Sequence, residues 1–204
     1  MWHSQHEIEK YLDAEFTSPG FFLEIGCWDG TLISQSAWLE RERGWRGLCV
    51  DPFPRNFSDR PTQVCHKAIS ADGMPRRFVK VFHDRRDGGD VSYFSGFEDS
   101  IQAHAELIRN FCSHEMVDVP TITIPLLYDE YKLPLHIDFL SVDTEGAEIE
   151  IFESIDFSKF SYGMIVFEHN ESEIIKRRIG SRLGAHGYEM LDSLRCDDIY
   201  VKRL

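Results

Sequence analysis

Three short stretches of the chain carry reactive side chains immediately after runs of apolar, strand-forming residues. The first is Leu23-Glu24-Ile25-Gly26-Cys27-Trp28-Asp29-Gly30, a carboxylate and two glycines around a turn. Gly26 permits a tight turn and close approach of backbone to a ligand, and Gly30 permits tight entry into the next element. About twenty residues on, Asp51 ends the apolar run 45–50, where an acid can bind both hydroxyls of a ribose. Strand, glycine turn, helix, strand and acid make a nucleotide-binding arrangement; two glycines in an ordinary βαβ turn would need no such acid.

The same residues discriminate between cofactors. A dinucleotide site places a glycine in the middle of the turn, where this chain has Trp28, so a pyrophosphate is poorly served. Glu24 repels phosphate and suits a cationic amino-acid head. The turn therefore favours S-adenosylmethionine over a nicotinamide cofactor.

The other two stretches lie later in the chain. Asp143 ends the apolar run 136–142, and Glu168-His169 ends the run 162–167, so all three open into one cleft if the runs are neighbouring strands. His136 begins its strand and belongs to the opposite edge. Two chemistries fit. A divalent cation such as Mg²⁺ could sit on Asp143, Glu168 and His169, with Asn170 beside them and an acceptor hydroxyl bound to the ion. Alternatively Asp143 or His169 acts as general base without metal, with Glu145 in the same catalytic group. Thr144, Glu145 and Glu148 also fit the start of a helix, where oxygens cap free N–H groups and carboxylates complement the dipole.

These side chains need a scaffold of alternating strands and helices. A helix is expected over 5–15, then a breaker at Ser18-Pro19-Gly20, and together residues 1–20 form an entry segment. Strands are expected over 21–25, 45–50, 63–69, 77–82, 136–142 and 162–167, with an extended segment over 117–124. Helices are expected over 31–43, 97–112, 147–155 and 171–183. Residues 188–191 and 199–202 close the chain as an antiparallel pair. This alternation implies an α/β chain with a mostly parallel sheet in a single domain over residues 1–204. The segment 90–97, after a Gly-rich loop, supplies Ser92 and Tyr93 as acceptor-binding residues of a lid. Its competing reading is a loop that anchors Tyr93, Phe94 and Phe97 in the core.

Taken together, Phe22 to Gly30, Val50-Asp51-Pro52-Phe53-Pro54, and Ile137 to Glu148 with its Asp143-Thr144-Glu145-Gly146-Ala147-Glu148 segment resemble the successive motifs of the FkbM family of methyltransferases. The similarity runs over about residues 21–191. It implies a class I methyltransferase, Rossmann-like fold, whose seven-stranded, mostly parallel sheet has an antiparallel last strand. It also implies S-adenosylmethionine as cofactor and O-methylation of a sugar, polyketide or similar hydroxyl acceptor. Carried over by position, Glu24, Gly26 and Gly30 line the methionine part, Asp51 holds the ribose, Lys67-Ala68-Ile69 lie near the adenine, and Cys27 and Pro52 belong to the same cofactor site.

Composition bounds the alternatives. A net charge of −13 leaves no dense basic surface for phosphate contacts, so a nucleic-acid partner is not expected. No run approaches the roughly eighteen apolar residues of a membrane span, and the polar, acidic start does not read as a signal peptide. Cys27, Cys49, Cys65, Cys112 and Cys196 have neither zinc-site nor disulfide-framework spacing, which suits free thiols in a cytoplasmic protein. An NAD(P)-dependent oxidoreductase is disfavoured by Trp28 and Glu24. A binding module without chemistry is disfavoured by the intact Glu24 and Asp51 pair.

Overall fold

The computed structural model describes residue 4 and residues 7–203, with Gln102 described by its backbone alone. Seven strands form the main sheet. In chain order they are β1 (Phe21–Ile25), β2 (Arg46–Val50), β3 (Gln63–Cys65), β9 (His136–Val142), β10 (Ser161–Glu168), β11 (Tyr188–Ser193) and β12 (Asp197–Lys202). Across the sheet the order is β3-β2-β1-β9-β10-β12-β11. The first five run parallel; β12 is inserted antiparallel between β10 and β11. The chain winds outward from β1 to β3, then returns to place β9 on the other side of β1. That reversal opens a crevice at the carboxyl ends of β1 and β9.

The strands are apolar on both faces because helices cover both. On one face Phe22, Cys49, Phe139, Met164 and Val166 pack with Leu12 of α1 (Glu9–Glu15) and with Trp38 and Leu39 of α2 (Ala37–Arg43). On the other, Leu23, Leu48, Leu140 and Ile165 pack with residues of α4 (Ile124–Tyr131), α5 (Glu148–Ser154) and α6 (Glu173–Ala185). Two smaller sheets lie outside the seven strands. The strands β4 (Ala68–Ile69) and β8 (Thr121–Ile122) pair in parallel, and β5 (Arg76–Asp84) pairs antiparallel with β6 (Gly96–Phe97) and β7 (Cys112–Val119). The remaining helix, α3 (Ala105–Phe111), leads directly into β7.

Several expected elements are shorter or divided. Of the first expected helix, residues 5 and 6 lie outside the described residues, and α1 begins at Glu9. The expected helix over 31–43 starts only at Ala37; Ser34, Gln35 and Ser36 before it donate hydrogen bonds to Glu24. It stops at Gly44, which is left-handed at φ 68°. The expected strand over 63–69 divides, since Cys65 finishes pairing with β2 while Ala68 turns to β8. The helix over 97–112 is largely displaced: Phe97 pairs with Phe78 in the side sheet, and helix forms only from Ala105. Helix α4 was not expected, although Thr123 caps it and Pro125 stands in its first turn.

One buried ion pair ties β1, α2 and the segment before β3 together. The Arg60 guanidinium has no solvent exposure; its Nε donates to Glu40 Oε2 at 2.7 Å and its Nη1 to the Gly30 carbonyl at 2.7 Å. Removing the cation leaves Glu40 buried without its partner, which costs about 3–5 kcal/mol. Urea unfolding of Arg60→Met is expected to show a loss of that size, and a loss below about 1 kcal/mol contradicts the ion pair's structural role.

Candidate active site

The carboxyl ends of β1, β2, β9 and β10 open into one cavity of about 1200 Å³. Gly26 ends β1 at φ 86°, and a Cβ there would stand 1.6 Å from the Asp143 carbonyl oxygen. Only glycine allows the β1 and β9 backbones to approach so closely at the crevice. Trp28 follows in the left-handed region at φ 43°, which turns its N–H onto Asp51 Oδ2 at 3.0 Å. The Phe53 N–H donates to Asp51 Oδ1 at 2.7 Å. Burial pushes the Asp51 carboxyl up to about 6 even against these two hydrogen bonds. Each oxygen keeps a further lone pair.

The sequence-predicted residues divide by placement. Glu24, Gly26, Cys27, Asp51, Pro52 and Ala68 line the cavity, with Ile69 beside them. The Glu24 carboxylate, however, is spent within the protein: Ser34 Oγ, Gln35 N and Ser36 Oγ all donate to it. Gly30 does not line the cavity. Its backbone packs under Phe57, whose Cζ would lie 2.4 Å from a Cβ, and its carbonyl serves Arg60. Lys67 also lies outside, with its ammonium 2.8 Å from Glu130 on α4.

At the ends of β9 and β10, Asp143, Glu145, Glu168 and Asn170 reach the cavity. Glu145 is left-handed at φ 57° and precedes Gly146 at φ 119°, a turn that swings Glu145 toward Asp143. One oxygen from each of Asp143, Glu145 and Glu168 lies within 4.8 Å of the other two, a spacing that could hold a cation. Burial, then the charges of its neighbours, pushes the Asp143 carboxyl well above the usual carboxylate range. Burial and the Asp143 charge push Glu168 up to about 12, so at neutral pH Glu168 keeps its proton and donates it to Asp143. Glu148 instead accepts from Thr144 N, Thr144 Oγ1 and Gly146 N, which is the helix-start role.

His169 requires a correction. Alternation along β10 turns it away from the side that Glu168 faces, and it is fully buried outside the cavity. Its Nδ1 accepts from Glu171 N, and its Nε2 faces Asp198 Oδ1 at 3.4 Å. Burial lowers its pKa. It can neither bind a metal at the cleft nor take a proton there.

The histidine that does line the cavity is His104, which the sequence reading passed over within an expected helix. It ends the 3-10 turn Gln102–His104, and its Nε2 stands 2.9 Å from Glu145 Oε2, a close contact not aligned as a hydrogen bond. An aromatic series reaches it from the first turn: Trp28 against Tyr93 at 5.4 Å, Tyr93 against Phe94 at 4.4 Å, and Phe94 against His104 at 4.4 Å. Ser92 fixes this loop, accepting from Trp28 Nε1 at 2.8 Å and Arg55 Nη2 at 2.9 Å. Ser92 and Tyr93 therefore line the cavity, and the phenylalanine Phe97 is buried in the core as the competing reading required.

A sheet ordered this way, with a crevice beside its first strand and an antiparallel strand inserted before its edge, is the class I methyltransferase fold. The family described as methyltransferase FkbM domain matches residues 25–190, and the chain belongs to that family. Among solved structures, precorrin-6y C5,15-methyltransferase from Geobacter metallireducens GS-15 is similar, at 13% identity and a TM-score of 0.45 over 96% of this chain and 89% of that one. No curated protein matches the sequence significantly. Family membership implies S-adenosylmethionine as methyl donor. Among the described residues, no helix is long and apolar enough to cross a membrane.

Asp143→Asn removes a buried acid whose ionised form burial penalises, while keeping an oxygen for the Glu168 proton, so the variant is expected to melt higher than the parent at pH 7. Each kcal/mol relieved is worth about 2–4 °C at this size. The folded-state pKa is raised, so the parent regains this stability as pH falls toward the ordinary carboxylate range, and the difference shrinks. Calorimetry at pH 7 and pH 5 tests it; an Asn variant that melts lower at pH 7 contradicts the assignment.

Proposed function

We propose that the protein transfers the methyl group of S-adenosylmethionine to a hydroxyl of a small acceptor such as a sugar or polyketide. The observation that carries this reading is one continuous cavity, with the Gly26 turn and Asp51 in one part and the acids at Asp143 in another. Asp51 offers its free lone pairs to the ribose hydroxyls; Pro52, Ala68 and Ile69 surround the adenine. Gly26 and Cys27 lie along the methionine portion. The acceptor oxygen attacks the methyl carbon, the carbon–sulfur bond breaks, and the sulfonium becomes a neutral thioether. Asp143 takes the hydroxyl proton, held in place by the Glu168 O–H. Such a reaction asks the protein mainly for alignment and proton removal. Ser92, Tyr93 and Phe94 close over the acceptor and exclude water.

A second reading places a divalent cation on Asp143, Glu145 and Glu168, favoured by the convergence of their oxygens. Those oxygens suit Mg²⁺, which keeps waters and needs few protein ligands. A bound cation would draw the acceptor hydroxyl to the acids and acidify it.

Asp143→Asn is expected to cut turnover at least about a hundredfold while changing cofactor affinity little. EDTA then divides the readings. Loss of parental activity restored by Mg²⁺ or Mn²⁺ supports the cation, and indifference supports the carboxylate base. Normal turnover by Asp143→Asn sinks both.

Asp51→Ala is expected to weaken S-adenosylmethionine binding by about 1.5–3 kcal/mol, read by calorimetry. Because its carboxyl titrates near 6, the parent's affinity should fall as pH drops below about 6, when protonation removes the charge. Asp51→Asn should flatten that dependence. An unchanged profile removes Asp51 from the ribose.

A further inference from the structure

The cavity wall formed by the segment 90–97 has spent its polar side chains on itself. Ser92 Oγ donates to Asp90 Oδ1 at 2.7 Å and accepts from Trp28 Nε1 and Arg55 Nη2. Ser95 Oγ donates to the Ser92 carbonyl at 2.6 Å and accepts from Val81 N at 3.0 Å. Asp90 in turn pairs with Arg55 at 2.9 Å. What this segment leaves for a ligand is chiefly ring surface. Tyr93 and Phe94 are half-buried, line the cavity and lie 4.4 Å apart between ring centres. The rim is apolar as well: Leu32 and Phe82 also line the cavity, and they are 61% and 37% exposed.

Such a wall discriminates among hydroxyl compounds. A saccharide brings several hydroxyls, and each one buried without a partner costs about 1–3 kcal/mol. An aromatic ring with a hydroxyl at one end avoids that cost and gains about 0.5–1.5 kcal/mol for each aromatic pair beyond the area it buries. The rings also lead to the acids. Phe94 lies 4.4 Å from His104, whose Nε2 is 2.9 Å from Glu145, and Glu145 and Asp143 hold oxygens within 4.8 Å of each other. A phenol, which loses its proton near pH 10 as tyrosine does, yields it to a carboxylate more readily than an alkyl alcohol does.

We propose that the acceptor is a flat phenolic compound, seated against the rings of Tyr93 and Phe94 with its hydroxyl toward Asp143. The inference rests on the methyl-transfer reading above and narrows its acceptor. The aryl oxygen forms a bond to the methyl carbon, the carbon–sulfur bond breaks with its electron pair left on sulfur, and the phenolic proton passes to Asp143.

The test measures, by calorimetry on the protein saturated with S-adenosylhomocysteine, the binding of three probes. They are 2-naphthol, its saturated counterpart decahydro-2-naphthol, and methyl α-glucoside. The parent is expected to bind 2-naphthol at least about tenfold more tightly than either of the others, as two aromatic pairs allow. Phe94→Leu keeps an apolar side chain and removes a ring, and it should narrow the gap between naphthol and its saturated counterpart at least about threefold. Should that variant not fold, the parent's comparison alone decides. A parent that binds S-adenosylhomocysteine but prefers the saturated alcohol or the glucoside, or binds all three alike, overturns the phenolic acceptor and leaves methyl transfer standing. A folded Phe94→Leu with the gap unchanged overturns the seat on Phe94. A parent that does not bind S-adenosylhomocysteine overturns the cofactor reading itself.

Discussion

A buried carboxylate at the end of the first strand organises the molecule's ligand face. Glu24 is 2% exposed, and a charge so placed is tolerated only where donors surround it. It draws Ser34, Gln35 and Ser36 onto itself, immediately before α2 begins at Ala37. Arg60 approaches from the segment before β3, bringing its Nη1 within 3.9 Å of Glu24 Oε2, and holds Glu40 and the Gly30 carbonyl. One electrostatic requirement thus shapes the loop that borders the cavity and, through Arg60, fastens the second helix to the sheet.

The second constraint is steric and lies at the crevice. Gly26 and Asp143 meet backbone to backbone, where any side chain would collide with a carbonyl. This contact sets β1 and β9 side by side at their ends, where Asp143 N donates to Ile25 O at 2.9 Å, while Gly26 N donates to Val50 O of β2 at 2.8 Å. The acidic side chain of Asp143 is thereby brought to the same cavity as the Asp51 carboxylate. Three acids share the far part of that cavity without all carrying charge. Burial makes full ionisation expensive: it raises both Asp143 and Glu168 above the ordinary carboxylate range, and at neutral pH a proton stays on Glu168.

Over this floor the side sheet supplies a wall. Strands β5 and β6 carry Phe78 and Phe97, packed edge to face at 5.7 Å, and the loop before β6 carries Tyr93 and Phe94. Their rings connect Trp28 in the first turn to His104 beside Glu145. The loop is therefore mechanically joined to both the cofactor turn and the acids, through ring contacts that need no covalent constraint. Arg55 reinforces the joint, lying over the Trp28 ring at 5.3 Å and pairing with Asp90 at 2.9 Å.

Much of this was legible in the chain because its signals are local. An apolar run followed by glycine or acid identifies a strand end, and successive strand ends of a parallel α/β sheet share one edge. Hence Gly26, Asp51, Asp143 and Glu168, and the sheet with its antiparallel closing pair, were readable from residue type and order. Direction and partnership were not. His169 follows Glu168 directly, and only the pleat of β10 decides that one faces the cavity and the other the core. His104 reaches Glu145 across forty-one residues of sequence, through a side sheet whose pairing no local pattern sets. Glu24 looked like a free charge because the donors that occupy it gather only when the loop 34–36 folds back on it, with Arg60 nearby from a different segment of the chain. The sequence by itself determined which chemistry stands at the strand ends. Tertiary structure alone decided which of those groups are spent on one another and which remain for a ligand, because hydrogen bonds and charge pairs between distant segments exist only once the chain has folded.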